Sequence, residues 1–340
     1  MDISLVILNW NGEKFLNDNL PGIIKFCAPS NTGVVVIDNN SSDNSLQLLK
    51  DKFPEVKTVV LDKNYGFADG YNRGLKQIES DYFILCNSDI ELKSDAITPM
   101  IELLESNPEI AAVAPKLKSM LQPEKFEYAG AAGGFIDKFG YPFCRGRILD
   151  TVEDDNGQYN NQTYIFWATG AFMAVRSSVF NLLGGFDASF FAHQEEIDLC
   201  WRMKNRGYKI VYCPQAEVFH LGGGTLAQGN PRKLYFNYRN SLKMLFKNLA
   251  PRKLFFTILF RMILDGISAS IYLLKLSPKD FFAVVKAHWA FYVSLPQLIG
   301  QRRELKKSVN SYNHAEIFNS GIVFRYMIKK QKRFDLLNFK

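Results

Sequence analysis

ISLVILNWNGEKF (residues 3–15) and GVVVIDNNSSDNS (residues 33–45) decide the fold. Each opens on a β-branched apolar run and ends in polar, turn-forming residues, as a buried strand feeding a loop does. Residues from about Glu13 to Phe26, between them, read as a helix. The rhythm then repeats. Leu46 to Phe53 reads as helix, VKTVVL (56–61) as a third strand, Phe67 to Ile78 as helix, and DYFILC (81–86) as a fourth strand. This alternation predicts an α/β fold, with a mostly parallel central sheet and helices on both faces.

Ligands of such sheets bind beyond the carboxyl ends of the strands. Strand one ends at Asn9-Trp10-Asn11, strand two at Asp38-Asn39-Asn40 and strand four at Asn87-Ser88-Asp89. Polar side chains thus gather on one edge. Asp38 also suits a dinucleotide fold, in which an acid bonds a ribose hydroxyl. That fold needs GxGxxG after strand one, and NWNGEKF has a single glycine. No GxxxxGK[ST] run occurs, which excludes a P-loop. A nucleotidyltransferase would want a Gly-rich basic loop at the same place.

The chain has 340 residues, 47% hydrophobic and 22% charged, as a folded protein should be. Its net charge of +7 is unevenly spread. Residues 231–340 hold 21 Lys and Arg against 5 Asp and Glu, leaving residues 1–230 at −9. The boundary predicts a catalytic unit over 1–230 and a basic, apolar, helical region over 231–340. The five cysteines show no CxxC spacing, so buried reduced thiols are expected in place of disulfides or a thiolate metal site. The first residues lack a basic segment and a long apolar run, so no signal peptide is expected.

Asp89 ends a strand beside Ser88 and Asn87. An acid there either shapes a turn or binds a hard divalent cation through oxygen. In NYGFADGYNRG (64–74), Gly66, Gly70 and Gly74 share a helix face. They serve tight packing, or leave Asn64, Asn72 and Arg73 to face a ligand. In FFAHQEEIDLCWR (190–202), three acids open a helix, where its dipole favours them. Asp198 and Arg202 stand in pairing range at i, i+4. Glu195 and Glu196 have no obvious partner, and either is a candidate general base for an acceptor hydroxyl. His220 follows a strand, as a structural imidazole or a metal ligand. Gly222, Gly223 and Gly224 form a loop suited to closing over phosphates.

Taken in order, Asp38, the Asn/Gly helix entry, Asn87–Asp89, TGA (169–171), GGFD (184–187), Glu195–Arg202 and His220 resemble the inverting family 2 glycosyltransferases of the GT-A fold. The likeness runs from about Ile3 to Asn248 and is nearest the rhamnosyltransferase-like members. It implies that Asp38 contacts the nucleotide base, that Asn87 and Asp89 occupy the DxD motif, and that Asp89 binds Mg²⁺ or Mn²⁺ with His220. It implies a catalytic carboxylate at Glu196, with Glu195 and Asp198 as alternatives. Donor contacts would come from Asn9, Asn11, Asp38, Asn64, Asn72, Asn87, Ser88, Thr169, Gly170 and Arg202. The implied partners are a nucleotide-diphosphate sugar and a glycan or lipid-linked acceptor. The Asn at 87 and the Glu at 196 depart from the family pattern and leave room for a catalytically silent scaffold.

Leu234–Leu249, Lys253–Leu274 and Phe281–Leu298 read as long apolar, aromatic, basic helices. Arg261, Asp265, Lys286, His288 and Pro296 interrupt the last two, so they are expected to lie in an anionic membrane interface more readily than to span it. A peripheral site on the cytoplasmic face of the inner membrane follows; oligomer contacts are the other use of such helices. Nucleic acid is not an expected partner, because the apolar content exceeds what a phosphate-tracking surface needs.

Overall fold

The computed structural model describes residues 1–222 and 230–339. The strands are β1 (Ile3–Asn9), β2 (Gly33–Asp38), β3 (Lys57–Val60), β4 (Tyr82–Cys86), β5 (Ile90–Glu91), β6 (Ile110–Ser119), β7 (Gly134–Asp137), β8 (Pro142–Cys144), β9 (Arg147–Ile148), β10 (Thr151–Val152), β11 (Thr163–Tyr164), β12 (Phe172–Arg176), β13 (Lys209–His220) and β14 (Ile317–Phe318). The helices are α1 (Glu13–Cys27), α2 (Ser45–Lys52), α3 (Gly66–Leu75), α4 (Ile97–Ser106), α5 (Ser177–Leu182), α6 (Glu195–Asn205), α7 (Pro231–Asn248), α8 (Pro251–Leu274), α9 (Pro278–Lys306) and α10 (Ile322–Met327).

The main sheet runs β11-β13-β6-β12-β4-β1-β2-β3, with β5 also on β13. β4, β1, β2 and β3 are mutually parallel, as are β6 and β13. β12 lies antiparallel between β4 and β6. Two apolar layers cover the faces. Leu16, Leu20, Met100 and Leu104 of α1 and α4 fill one, and Tyr71, Leu75, Leu199 and Met203 of α3 and α6 fill the other. Buried apolar area of this kind supplies the main stabilising force. All five cysteines are buried and free.

The three glycines of α3 serve packing. A Cβ on Gly74 would fall 2.1 Å from Ile37 Cδ1, and one on Gly70 would fall 3.1 Å from Leu8 and Asn39. Gly66 has φ of +75° and lies against Phe191. Gly74→Ala is therefore expected to destabilise the fold by about 1–3 kcal/mol, as overpacking does. Urea unfolding checks this against Gly266→Ala, where a Cβ meets nothing within 4 Å.

FWATGAFMAV (166–175) reads as a buried strand by its apolar content, but β12 begins only at Phe172, because Thr169-Gly170-Ala171 turns. β6 escaped the sequence reading because Pro115 interrupts it. The neighbouring β13 shifts register between Cys213 and Glu217, opposite that proline, where a missing donor is tolerated.

The C-terminal region is not a separate appendage. A second sheet runs β10-β9-β8-β7-β14, so Ile317 and Phe318 pair in parallel with Ile136 and Asp137. Phe334 and Phe339 pack on Phe135 and Phe143. The boundary predicted at residue 230 therefore divides a continuous core. Among the described residues one helix, α8, is long and apolar enough to cross a membrane by length and composition.

Candidate active site

The carboxyl ends of β1, β2 and β4 open onto one edge, and the polar residues read from the sequence collect there. Asn9 and Asp38 end paired strands, and Asn9 Nδ2 donates to Asp38 Oδ1 at 3.1 Å. Asp38 Oδ2 accepts from the Ser41 amide at 2.9 Å. Fully buried, Asp38 organises the 38–42 turn, and its remaining lone pairs are what it has to offer a ligand. Asn11 Oδ1 accepts from the Ser42 amide on the rim of the same turn. Asn64 caps the entry to α3 through the Gly66 amide and accepts from Asn39. A Cβ on Gly12 would stand 2.3 Å from Asn9 Oδ1 and 3.5 Å from Ser88 Oγ, which shows how closely β1 and the 87–89 turn approach.

Asp89 faces His220, with Oδ1 3.2 Å from Nε2. The other ring nitrogen, Nδ1, lies 3.4 Å from Glu127 Oε1 without hydrogen-bond geometry. Burial lowers the basicity of His220, but the Asp89 hydrogen bond and the charges of Glu127 and Asp89 outweigh it and raise its pKa to about 10. Burial raises the Asp89 carboxyl, and the His220 hydrogen bond and charge bring it below its usual value. Glu127 carried no sequence signal, because it lies in an irregular stretch far from both partners in the chain.

Among the described residues no three His, Cys, Asp or Glu side chains form a complete metal cage. Asp89 and His220 do fit a hard cation whose shell is completed by substrate phosphates. Asp89 Oδ1 and His220 Nε2 converge at 3.2 Å, and a cation between them would take the place of the imidazole proton. Gly223 and Gly224 of the predicted phosphate loop lie outside the described residues, while Gly222 has φ of +70° beside Glu127.

Glu195 and Glu196 open α6. The chain reaches them through an unusual turn, with Phe191, His193 and Gln194 all at positive φ (67°, 69° and 74°). Such backbone is strained for residues with side chains and concentrates at functional sites. Asn240 of α7, fully buried, holds it by donating to the carbonyls of Phe190, Ala192 and His193. Arg239 donates to the Ser189 and Phe190 carbonyls. Neither residue was legible from the sequence, since both sit inside a helix that reads as amphipathic packing.

One oxygen of each glutamate, Oε2, is buried without a hydrogen bond. Burial raises both carboxyls, and the Glu196 charge raises Glu195 further. Asn9 Oδ1, His193 Nε2, Gln194 Oε1 and His220 Nδ1 are likewise unpartnered. Buried polar atoms are nearly always paired, so each of these is free to bond a ligand or water. His193 is held neutral, because burial and the Lys233 charge lower its pKa to about 4.

Glu196 reaches the Asp89 edge through the TGA turn. A Cβ on Gly170 would lie 3.9 Å from Glu196 Cβ, and the next residue, Ala171, accepts from the Asn87 amide at 2.9 Å. Thr169 sits against Gly130 in the same turn. The 169–171 turn thus stands between the 87–89 turn, which bonds Ala171, and Glu196, which lies beside Gly170.

Three expected site residues take other work. Asp198 is fully buried, with Oδ2 bonded by Arg202 at 2.8 Å and Lys247 at 2.9 Å, and Oδ1 by Asn248 at 2.8 Å. Every Asp198 oxygen is committed to the α6–α7 joint, leaving none for an acceptor proton. Arg202 spends its other nitrogens on the Leu183 and Gly185 carbonyls, so it is not a donor contact. Asn72 clips the same turn through the Phe186 amide and carbonyl, and it too is structural.

Known proteins share this architecture. A 205-residue stretch is 26% identical to N-acetylglucosaminyl-diphospho-decaprenol L-rhamnosyltransferase of Mycobacterium tuberculosis, covering 55% of this chain and 66% of that one. The match therefore spans just under two-thirds of that relative. Among solved structures, S. aureus TarS 1–349 in complex with UDP-GlcNAc superposes with a TM-score of 0.55 at 15% identity, covering 94% of this chain and 99% of that one. Mannosyltransferase PcManGT from Pyrobaculum calidifontis, in complex with GDP-Man and Mn²⁺, superposes with a TM-score of 0.52 at 12% identity, over 90% and 85% of the two chains. These superpositions show a GT-A-like α/β fold. The pattern of the family described as Glycosyl transferase family 2 matches residues 4–175, just over half of the sequence, and the chain belongs to that family.

Proposed function

We propose that this chain is an inverting glycosyltransferase, using Mg²⁺ or Mn²⁺, that moves rhamnose or a hexose from a nucleotide-diphosphate donor to a glycan or lipid-linked glycan. Its setting is cell-surface polysaccharide synthesis at the cytoplasmic face of the inner membrane. The observation that supports the reading is the Asp89–His220 pair at the end of the central sheet, with the 169–171 turn between the Asp89 loop and Glu196, whose Oε2 is buried and unbonded.

The chemistry follows from those groups. Asn9, Asn11, Asp38, Asn64 and Ser88 border the edge where the nucleotide lies. Asp89 and His220 would hold the cation. A cation there neutralises the charge that grows on the diphosphate leaving group. Glu196 takes the proton of the acceptor hydroxyl as its oxygen bonds to the anomeric carbon and the bond from that carbon to phosphate breaks. One displacement inverts the centre, and needs one base and no covalent intermediate. The raised Glu196 carboxyl suits a base working near neutral pH. Asn240 positions the turn that delivers it.

Melting with a panel of nucleotide sugars and Mn²⁺ or Mg²⁺, followed by nucleoside diphosphate release with glycan acceptors, tests the reading. A donor at about 100 times its Kd stabilises the fold by about 2.7 kcal/mol. Asp89→Asn is expected to lose the metal-dependent part of that shift, from an unliganded melting point lowered by loss of the buried His220 pair. An equal metal response in Asp89→Asn defeats the metal assignment. Tight donor binding without transfer to any acceptor marks a silent scaffold.

A further inference from the structure

Helix α8 is amphipathic in the reverse sense. Its buried stripe is Thr257, Arg261, Asp265 and Ala269, at i, i+4 spacing. Its outer face carries Phe255 at 70% exposure, Phe256 at 63%, Ile263 at 50% and Leu274 at 84%. A helix on a water-facing surface does the opposite. Helix α9 lies against α8, with the Tyr292 hydroxyl 3.5 Å from Met262 Sδ, and exposes Phe282 and Trp289 at 64% and 71%. Exposed apolar surface on this scale marks an interaction site.

The inward stripe is fully occupied. Arg261 Nε donates to Asp265 Oδ1 at 2.8 Å, and its guanidinium lies 3.8 Å from the centre of the Tyr141 ring. Tyr141 donates its hydroxyl to Asp265 Oδ1, and His288 of α9 stands 3.3 Å from Oδ2. Arg261 and Asp265 thus bind the catalytic body, Leu254 and Ile258 pack toward its core, and the exposed apolar side chains point away from it.

The border of the apolar face is basic. Arg252, Lys253, Lys275, Lys279 and Lys286 are exposed around it. Only two acids lie between Arg252 and Arg303. Asp265 is buried, and Asp280 is held by the Ser277 hydroxyl.

We propose that this face seats on an anionic lipid leaflet, with α8 and α9 lying flat in the headgroup boundary and neither crossing it. The proposal rests on the membrane location given above, not on the transfer chemistry. Apolar and aromatic side chains rimmed by lysine and arginine match that boundary in both polarity and charge. Length and composition alone would let α8 cross. Crossing would pull Arg261 and Asp265 off Tyr141 and the Phe139 carbonyl and into hydrocarbon, where ionised groups are costly. A second copy fits the face less well, because a two-fold contact would set one basic border against another.

The test uses the full chain and sedimentation with phosphatidylcholine vesicles, with and without phosphatidylglycerol. Binding is expected only with phosphatidylglycerol, and it should weaken with salt. Phe255→Ser with Phe256→Ser should weaken it more than about tenfold at an unchanged unfolding midpoint. Should that variant not fold, Lys253→Gln and Lys275→Gln should each weaken binding about fivefold. Lipids brominated near the headgroup end of the acyl chain should quench Trp289 more than lipids brominated near its tip, with Trp289→Phe as the reference. Vesicle binding with the strongest quenching from the chain tips overturns the flat arrangement and leaves the membrane location standing. No binding to anionic vesicles, with donor binding intact, overturns both. A dimer that the double Phe variant returns to monomer, without vesicle binding, gives the face to a second copy and also overturns the proposal.

Discussion

Glu196→Gln is expected to lower kcat by about 10²–10⁴ while leaving donor affinity and melting point close to those of the parent, the range in which general bases contribute. Three features single out this carboxylate. It is partly exposed and packs against the Gly170 turn, one of its oxygens is unpaired, and burial raises it toward neutral pH. Glu195 is more deeply buried, and the Glu196 charge raises it as well, so it is the less readily ionised of the two. Glu195→Gln should therefore cost less in rate than Glu196→Gln. The pH profile carries the same sign. A base works only when deprotonated, and its carboxyl is raised, so kcat should fall on acidification at a pH above the ordinary carboxylate range. An acid limb near pH 4, or full turnover by a folded Glu196→Gln protein, would remove Glu196 from this role.

Asp198→Ala is expected to destabilise the fold by about 3–5 kcal/mol, the cost of breaking a buried ion pair from one side. The carboxylate is fully buried and takes hydrogen bonds from Arg202, Lys247 and Asn248. Removing it leaves the Arg202 guanidinium without its only carboxylate, at 5% exposure. Lys247 retains Asp187 at 2.6 Å, which limits the loss. Chemical denaturation measures the change, and turnover per folded molecule should stay near the parent value. An Asp198→Ala protein that unfolds like the parent but has no activity would return Asp198 to the chemistry.

The halves of this molecule differ in how much their sequence discloses. β1 to β4 were legible because each is an uninterrupted apolar run next to turn-forming residues. The places of Asp89 and His220 beside strand ends and of Glu196 at a helix start were legible from the apolar runs that border them; their roles belong to the proposal. Asp198 and Arg202 were legible as an i, i+4 pair, but their burial was not, since Lys247 and Asn248 come from a helix about 50 residues later. The clamp by Asn240 is a tertiary fact of the same kind. Of the second sheet only the hairpins were legible, from the glycines and aromatic residues of 126–150, because its strands are two to four residues long. Alternation cannot register over so few positions.

That second sheet bears on how the protein comes to be folded during synthesis. Ile317 pairs with Ile136, and Phe334 with its neighbours seals the aromatic cluster around Phe135 and Phe143. A chain emerging from the ribosome therefore completes α8 and α9 while β7 still waits for its partner and its covering rings. The greasy hairpin is presented before the body behind it is closed. Nascent chains in that interval, not finished molecules, would be the species most in need of a chaperone or a nearby bilayer.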